Sequence, residues 1–293
     1  MHFRLYTDVK EFYRDTYDIF MLHEAQNVIP LGNLIIGYEG KDKSGWRDPA
    51  GWFMAAVEDG AGIRLAAIMT PPFKLTLYAA NNQYDDAALQ CLIGGIREHS
   101  ISIPGVMTEK ELALRFAELF TGGEYKIAFS QRLYELLRVS PGIACAGTLR
   151  LARESDMAFL PYWRAGFHSD CFGTPFGGTW DLERCRIDIA NGRLFVLEDG
   201  GMPASMANIT RELQSLCCVG GVYTPPYFRA RGYATSCVAQ TSRLALGRGF
   251  TRCVLYTDLA NPTSNSIYQK IGYMPIGDSL DIGFAGAPGR PAA

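Results

Sequence analysis

Short apolar runs with strand-like alternation are separated along this chain by stretches whose apolar positions recur at helical spacing. Phe3-Arg4-Leu5-Tyr6 predicts a strand, and Thr7 or Asp8 caps a helix running to about Phe20 with Phe12, Tyr13, Tyr17 and Phe20 on one face. The helical pattern continues over 22–36, broken at Pro30 and Gly32, and 39–49 reads as a polar loop. Residues 52–57 and 63–70 predict strands joined by a turn at 58–62, with Pro71-Pro72 ending the second and 75–79 forming a third. Asp85-Asp86 opens a helix to about Glu98, acidic residues in a first turn suiting the dipole. Thr108 and Glu111 form a capping-box signature before a helix over 112–120, and 126–139 predicts one long strand or two with a bend.

Ser140-Pro141-Gly142 is the expected boundary between two domains. Beyond it come a strand at 148–152, a helix from about Ser155 to Phe167 and a loop at 168–179. A helix over 181–190 follows, ended by Asn191-Gly192, then strands at 194–197 and 203–210 around a turn at 198–201. Val57-Glu58-Asp59-Gly60 is echoed by Leu197-Glu198-Asp199-Gly200, and Thr70 by Thr210, at one shared offset of 140. That common offset predicts duplication of one α+β unit. The first copy lacks a glycine turn and paired arginines after its strands, so ligand chemistry is expected in the second.

Composition narrows the classes. The 293 residues are 48% hydrophobic and 20% charged with a net charge of −2, enough for two ordinary cores and unlike a nucleic-acid binder. Residues 1–140 carry net −4 and 141–293 net +2, a mild bias toward an anionic ligand in the second half. No long apolar run suits a membrane span, and the start carries no signal-peptide pattern. Eight cysteines without a C-x-x-C pair read as reduced, inert thiols, and four histidines without ligand spacing predict no metal.

The chemistry concentrates in residues 219–235. An apolar run from Leu216 to Tyr223 holds Gly220-Gly221, which marks a bulge, a site of close packing, or a strand that splays so that a ligand can lie along its backbone. Pro225-Pro226 stops the run, and Arg229-Ala230-Arg231-Gly232-Tyr233-Ala234-Thr235 leads into a helix over 233–246. A bare turn at a helix N-terminus aims amides and the positive dipole end at a diphosphate. Arg229 and Arg231 either add charge-assisted bonds or face solvent.

Together with the strand at 253–257, Asn261-Pro262-Thr263-Ser264-Asn265-Ser266-Ile267-Tyr268 and Ile271-Gly272-Tyr273, this stretch resembles the GCN5-related N-acetyltransferase (GNAT) superfamily. The resemblance implies an α+β (mixed α/β) fold of two tandem GNAT-like units, each a mixed, mostly antiparallel central sheet flanked by helices. Residues 1–140 would be a degenerate unit and 141–293 the acetyltransferase domain, with its core at 145–284 and a short tail. It implies a cytoplasmic, acyl-CoA-dependent N-acyltransferase, monomer or homodimer, moving an acetyl group from acetyl-CoA to an amine acceptor, with no metal, nucleic acid or membrane partner. By the same resemblance Val222, Tyr223 and Thr224 would meet the pantetheine arm. The turn Arg229, Ala230, Arg231, Gly232, Tyr233, Ala234, with Thr235, would take the diphosphate. Asn261 and Ser264 would lie near the cofactor arm, and Tyr268 would protonate the departing thiolate.

Alternatives stay open for several of these. Tyr268 also fits a core tyrosine, and Asn261 and the Asn265-Ser266 pair fit helix caps. For the base that frees the attacking amine the candidates are Glu198, Glu183, Asp170 and Glu212. Cys217 and Cys218 precede the splay and read as inert packing. A CoA-binding sensor without turnover and an O-acyltransferase are the competing functions.

Overall fold

The structure is a computed structural model that describes residues 1–40, 48–173 and 179–284, the side chains of residues 179 and 180 excepted. The expected loop at 39–49 and the tail beyond 284 therefore fall largely or wholly outside the described residues.

The first unit comprises Met1–Leu133 together with Asp258–Ala260 and residues 277–284. Strand β1 (His2–Tyr6) leads to helices α1 (Val9–Met21) and α2 (Val28–Glu39). Asp8 caps α1, its carboxylate accepting from the Lys10 amide at 2.8 Å. Pro30 does not break α2. It sits in the first turn, where its missing N–H would have no intrahelical partner, and Gly32 is buried inside the same helix. Strands β2 (Phe53–Asp59), β3 (Gly62–Met69) and β4 (Leu75–Ala79) follow as an antiparallel meander.

Helix α3 (Asp86–Glu98) crosses over to β5 (Gly105–Glu109), which pairs parallel with β4, as a connection of that length permits. β5 carries no strand expectation, being only five residues long and beginning at glycine. It also overturns the expected capping box. Thr108 lies within the strand and donates to the Leu77 carbonyl, so Glu109 caps α4 (Lys110–Thr121) instead, accepting from the Leu112 amide at 3.0 Å. β6 (Tyr125–Leu136) closes this half of the sequence, its last residues belonging to the second unit.

The second unit, Tyr134–Thr257 with Asn261–Ile276, repeats the plan. β7 (Thr148–Leu151) precedes a 3₁₀ turn (Glu154–Ala158), α5 (Leu160–Phe172) and α6 (Thr179–Ala190). The expected helix at 155–167 is thus shifted. Asp156 turns back to accept from the Arg153 amide, and a new helix with Pro161 in its first turn runs into the expected loop as far as Phe172, residues 174–178 of that loop lying outside the described residues. Strands β8 (Leu194–Asp199), β9 (Met202–Glu212) and β10 (Leu216–Tyr223) form the second meander. α7 (Tyr233–Gly247) crosses to β11 (Arg252–Asp258), parallel to β10, and α8 (Pro262–Ile271) leads to β12 (Met274–Phe284).

The repeat is visible in the register. β2 and β3 pair Val57↔Leu65, shift by a bulge, then pair Glu58↔Ile63 and Asp59↔Gly62; β8 and β9 pair Leu197↔Ser205, shift, then pair Glu198↔Pro203 and Asp199↔Met202. Every one of these positions is displaced by the same 140 residues. Yet the first unit completes its sheet with the end of the chain: β12 pairs antiparallel with β5 from Ser279↔Glu109 to Gly283↔Gly105, and Leu280, Ile282 and Phe284 enter its core beside Phe116 and Leu92. The second unit's core gathers Tyr134, Phe195, Val219, Val238, Leu255 and Tyr273. No described helix is long and apolar enough to cross a membrane.

Arg150 of β7 ties the start of this unit together. It donates to both oxygens of buried Asp156 at 2.6 and 2.9 Å and meets Glu198 at 2.6 Å. Burial raises the Asp156 pKa, but the Arg150 bonds outweigh it and hold the carboxyl below its usual range. Since the folded pKa lies below the unfolded one, the pair's contribution is complete above the unfolded value and is lost as pH falls through the folded one. Arg150→Met is expected to cost about 3–5 kcal/mol at pH 7 by leaving Asp156 buried and unpaired. Urea titrations should show the deficit shrinking below about pH 4, where the carboxylate takes a proton; an equal deficit at both pH values would contradict the account.

Candidate functional site

The site grows from the point where β10 leaves β11. The two strands pair at Leu216↔Arg252, Cys217↔Cys253 and Cys218↔Val254, and there the ladder stops although both continue. On its other edge β10 stays joined to β9 through Val219↔Ile209 and Gly220↔Asn208, with irregularities after Cys218 and after Gly220 before Tyr223↔Met206. Gly221 adopts φ +58°, which a residue with a Cβ rarely takes. The glycine pair therefore bulges against β9 and marks a strand parted from β11, and at Gly220 it also packs closely, an added Cβ coming within 3.0 Å of Thr210.

Val222, Tyr223 and Thr224 line the parted segment and are all half-buried. The Ser205 hydroxyl donates to the Tyr223 carbonyl at 3.0 Å and lies 2.9 Å from the Thr224 hydroxyl, fixing this end of β10. Gly166 of α5 packs so closely on the Tyr223 ring that an added Cβ would come within 2.4 Å of the phenol oxygen.

Next comes the turn. Ala230 has φ +61° and Gly232 φ +81°, a backbone shape that points successive amides into one concavity. Gly232 is the N-cap of α7 and supplies no side-chain cap, so the first-turn amides of Tyr233, Ala234 and Thr235 have no capping group. A Cβ built on Gly232 would meet nothing within 4 Å. Tyr233 anchors the turn: its ring is buried and its hydroxyl donates to Asp199 at 2.6 Å, a bond that raises the phenol pKa.

The two arginines part company. Arg229 turns back, donating from Nε to the Thr224 carbonyl at 2.9 Å and pairing with Asp170 of α5 at 2.5 Å, with its guanidinium 5.7 Å from the Tyr223 ring centre. Its side chain braces the strand end against α5. Arg231 is exposed at the mouth of the turn beside Tyr233.

Asn261 caps α8, accepting from the Ser264 amide at 3.0 Å, and Asn265 donates to the Asn261 carbonyl at 2.7 Å while accepting from the Tyr134 hydroxyl at 2.9 Å. Tyr268, two turns into α8, is buried between the rings of Tyr134 and Tyr273. Its neighbours' hydroxyls are tied, Tyr134 to Asn265 and Tyr273 to Ser242 at 2.9 Å. The Tyr268 hydroxyl has no hydrogen-bond partner among the described residues, unlike a satisfied core tyrosine. Burial pushes its pKa well above the usual phenol value, and the Cys171 thiol of α5 adds to the effect.

The candidate bases are all engaged elsewhere. Glu198 pairs with Arg150, Asp170 with Arg229, Glu212 with Arg193 at 2.9 Å, and Glu183 lies exposed near Arg186. Cys217 faces Cys253 across 3.7 Å, and that contact with burial raises its pKa, as expected of an inert thiol. What the sequence reading overlooked is the inner face of α6. Asp181, Arg184, Cys185 and Asp188 recur at helical spacing, and the first and last of these are buried carboxylates. No cluster of three or more metal-binding side chains occurs among the described residues.

Comparison with known proteins bears on this geometry. Residues 161–273 match the family model described as "Acetyltransferase (GNAT) family". No curated protein shows a significant match. Over the whole chain the fold is that of solved GNAT proteins. A GCN5-related N-acetyltransferase from Sphaerobacter thermophilus is similar at TM-score 0.62 and 15% identity, covering 98% of this chain and 96% of that one. A tandem GNAT protein from the clavulanic acid biosynthesis pathway reaches 0.61 at 11% identity, covering 98% and 99%. A GNAT-family acetyltransferase from Colwellia psychrerythraea reaches 0.60 at 11%, covering 97% and 100%.

Proposed function

We propose that this protein is a cytoplasmic, acyl-CoA-dependent N-acyltransferase that moves an acetyl group to an amine by direct transfer, with the reaction in the second unit. The observation that carries the reading is the conjunction of a parted β10–β11 ladder with an uncapped α7 N-terminus at the end of the same strand. An extended thiol arm needs an open strand edge, and a diphosphate needs clustered amides with a positive dipole. The open space at Gly232 and the positive φ angles of Ala230 and Gly232 fit the diphosphate. Eight free cysteines suit a reducing compartment.

In this reading Val222, Tyr223 and Thr224 offer backbone groups to the arm. The amides of 230–235 hold the diphosphate, with Arg231 adding charge, and Asn261 and Ser264 border the arm at the start of α8. The neutral amine attacks the thioester carbonyl, forming the C–N bond while an N–H of β10 polarises the oxygen. As the C–S bond breaks, Tyr268 gives its proton to the sulfur, and the proton lost by the amine leaves through solvent. The raised pKa of Tyr268 keeps it in the donating form at neutral pH.

Titration calorimetry with acetyl-CoA, followed by thiol release against a panel of primary amines, tests the proposal. Binding together with amine-dependent release is expected. Failure to bind acetyl-CoA would end the reading; binding without release by any amine would turn it into a CoA-binding protein.

A further inference from the structure

The parted strands border a buried polar cluster that the transfer chemistry leaves unused. Asp188 of α6 meets Arg164 at 3.1 Å and Arg184 at 3.1 Å, and accepts from Asn208 Nδ2 at 2.8 Å. Asp181 lies 3.7 Å from Arg164. Asn208 carries the cluster to the opening itself, since it pairs with Gly220, and its Cβ lies 3.5 Å from where a Cβ on Gly221 would stand.

Arg211 on β9 completes the group. It pairs with Cys218, the residue at which the β10–β11 ladder ends. Cys217 and Cys253 face α7, where Cys253 approaches the Ser242 carbonyl. Cys218, and with it Arg211, therefore face the opposite side of the sheet, away from the α7 cradle. Burial is the largest influence on Arg211 and lowers its pKa, the Cys218 and Tyr256 side chains act to raise it, and Arg184 lowers it further. Its Nε is buried without a hydrogen bond, and the guanidinium has no ion-pair partner among the described residues. Arg164 and Arg184 contact the two buried carboxylates, Asp181 and Asp188, while no carboxylate pairs with Arg211, whose charge stays uncompensated among the described residues.

We propose that Arg211, with Arg184 beside it, receives a carboxylate of the acceptor, so that the acceptor is an amine that also bears a carboxylate, such as an amino acid or a peptide C-terminus. This rests on the acyl-transfer reading for the word acceptor. A single uncompensated charge matches a monoanion, and the planar guanidinium fork matches the two carboxylate oxygens. Asn208, three residues before Arg211 on the same strand and paired with Gly220, donates to the Asp188 carboxylate at the opening, where the two can orient the amino end.

The test compares L-amino acids with the amines left when their carboxylate is removed, using CoA-loaded protein. At least one amino acid is expected to raise the melting temperature saturably where its decarboxylated partner does not. Arg211→Met should abolish that rise and increase KM for the amino acid by about 10- to 100-fold, the loss of a charge-assisted pair, while CoA affinity stays as control. Arg211→Lys, which keeps the charge without the fork, should retain part of the effect and covers the case in which Arg211→Met fails to fold. If no amino acid outperforms its decarboxylated partner, or if Arg211→Met responds like the parent, the site is refuted. Thiol release with amines lacking a carboxylate, and none with amino acids, would refute it and keep the transferase reading. Stabilisation by amino acids without any thiol release would do the reverse.

Discussion

Tyr268→Phe is expected to lower kcat by about 10²- to 10³-fold while leaving acetyl-CoA affinity within a factor of about two, the pattern of a lost general acid. The substitution removes one hydroxyl that has no hydrogen-bond partner among the described residues and keeps the ring that packs on Tyr134 and Tyr273. Folding should therefore be nearly unaffected, which makes the kinetic result readable. The pH profile gives a second check. Burial raises the Tyr268 pKa, and the protonated form is the active one, so any alkaline loss of kcat due to this residue must begin above about pH 10, the ordinary phenol value. Unchanged turnover in Tyr268→Phe, or an alkaline fall in kcat near pH 8 that disappears in Tyr268→Phe, would contradict this role for Tyr268.

Gly232→Glu is expected to weaken CoA binding by about 100-fold or more. Two effects add. A residue with a Cβ at φ +81° is strained by about 1–2 kcal/mol, and a carboxylate at the mouth of the amide cradle repels a diphosphate while occupying the dipole end the ligand would use. The same carboxylate suits a helix N-terminus, so α7 should persist and circular dichroism should match the parent. Gly232→Ala separates the terms: its Cβ meets nothing within 4 Å, so only the backbone strain remains and the loss should be nearer tenfold. Calorimetry that returned the parent affinity for Gly232→Glu would mean that the diphosphate does not lie on α7.

Local patterns were legible wherever neighbouring residues decide the outcome. Asp8 and Asp85 cap the helices they precede, and the meanders around 58–62 and 198–201 turn where the sequence says. The strand, turn and helix of 216–247 were readable because Pro225-Pro226 and Gly232 are backbone instructions in themselves. Where a side chain had two possible uses, local reading failed. Thr108 could cap a helix or serve a strand, and β12 arriving beside β5 made it a strand residue, passing the cap to Glu109. Arg229 could meet a phosphate or a carboxylate, and Asp170 on α5 supplied the carboxylate.

The candidate site divides along the same line. The proposed donor half lies in one continuous segment, and the order strand, glycine turn, helix is enough to announce it. The proposed acceptor side does not. Arg164, Arg184, Asp188, Asn208 and Arg211 come from α5, α6 and β9 and meet only because those elements pack on one face of the sheet. Taken singly, each is an ordinary charged or polar residue. The sequence by itself pointed to the duplicated α+β plan and to the bare start of α7, since periodicity, glycine and proline act through the local backbone; that the Gly220-Gly221 strand parts from β11 was decided only by the tertiary structure. Tertiary structure alone decided which charges are neutralised and which are not. Charge balance is a sum over neighbours in space, and here that sum leaves Arg211 without an ion-pair partner among the described residues.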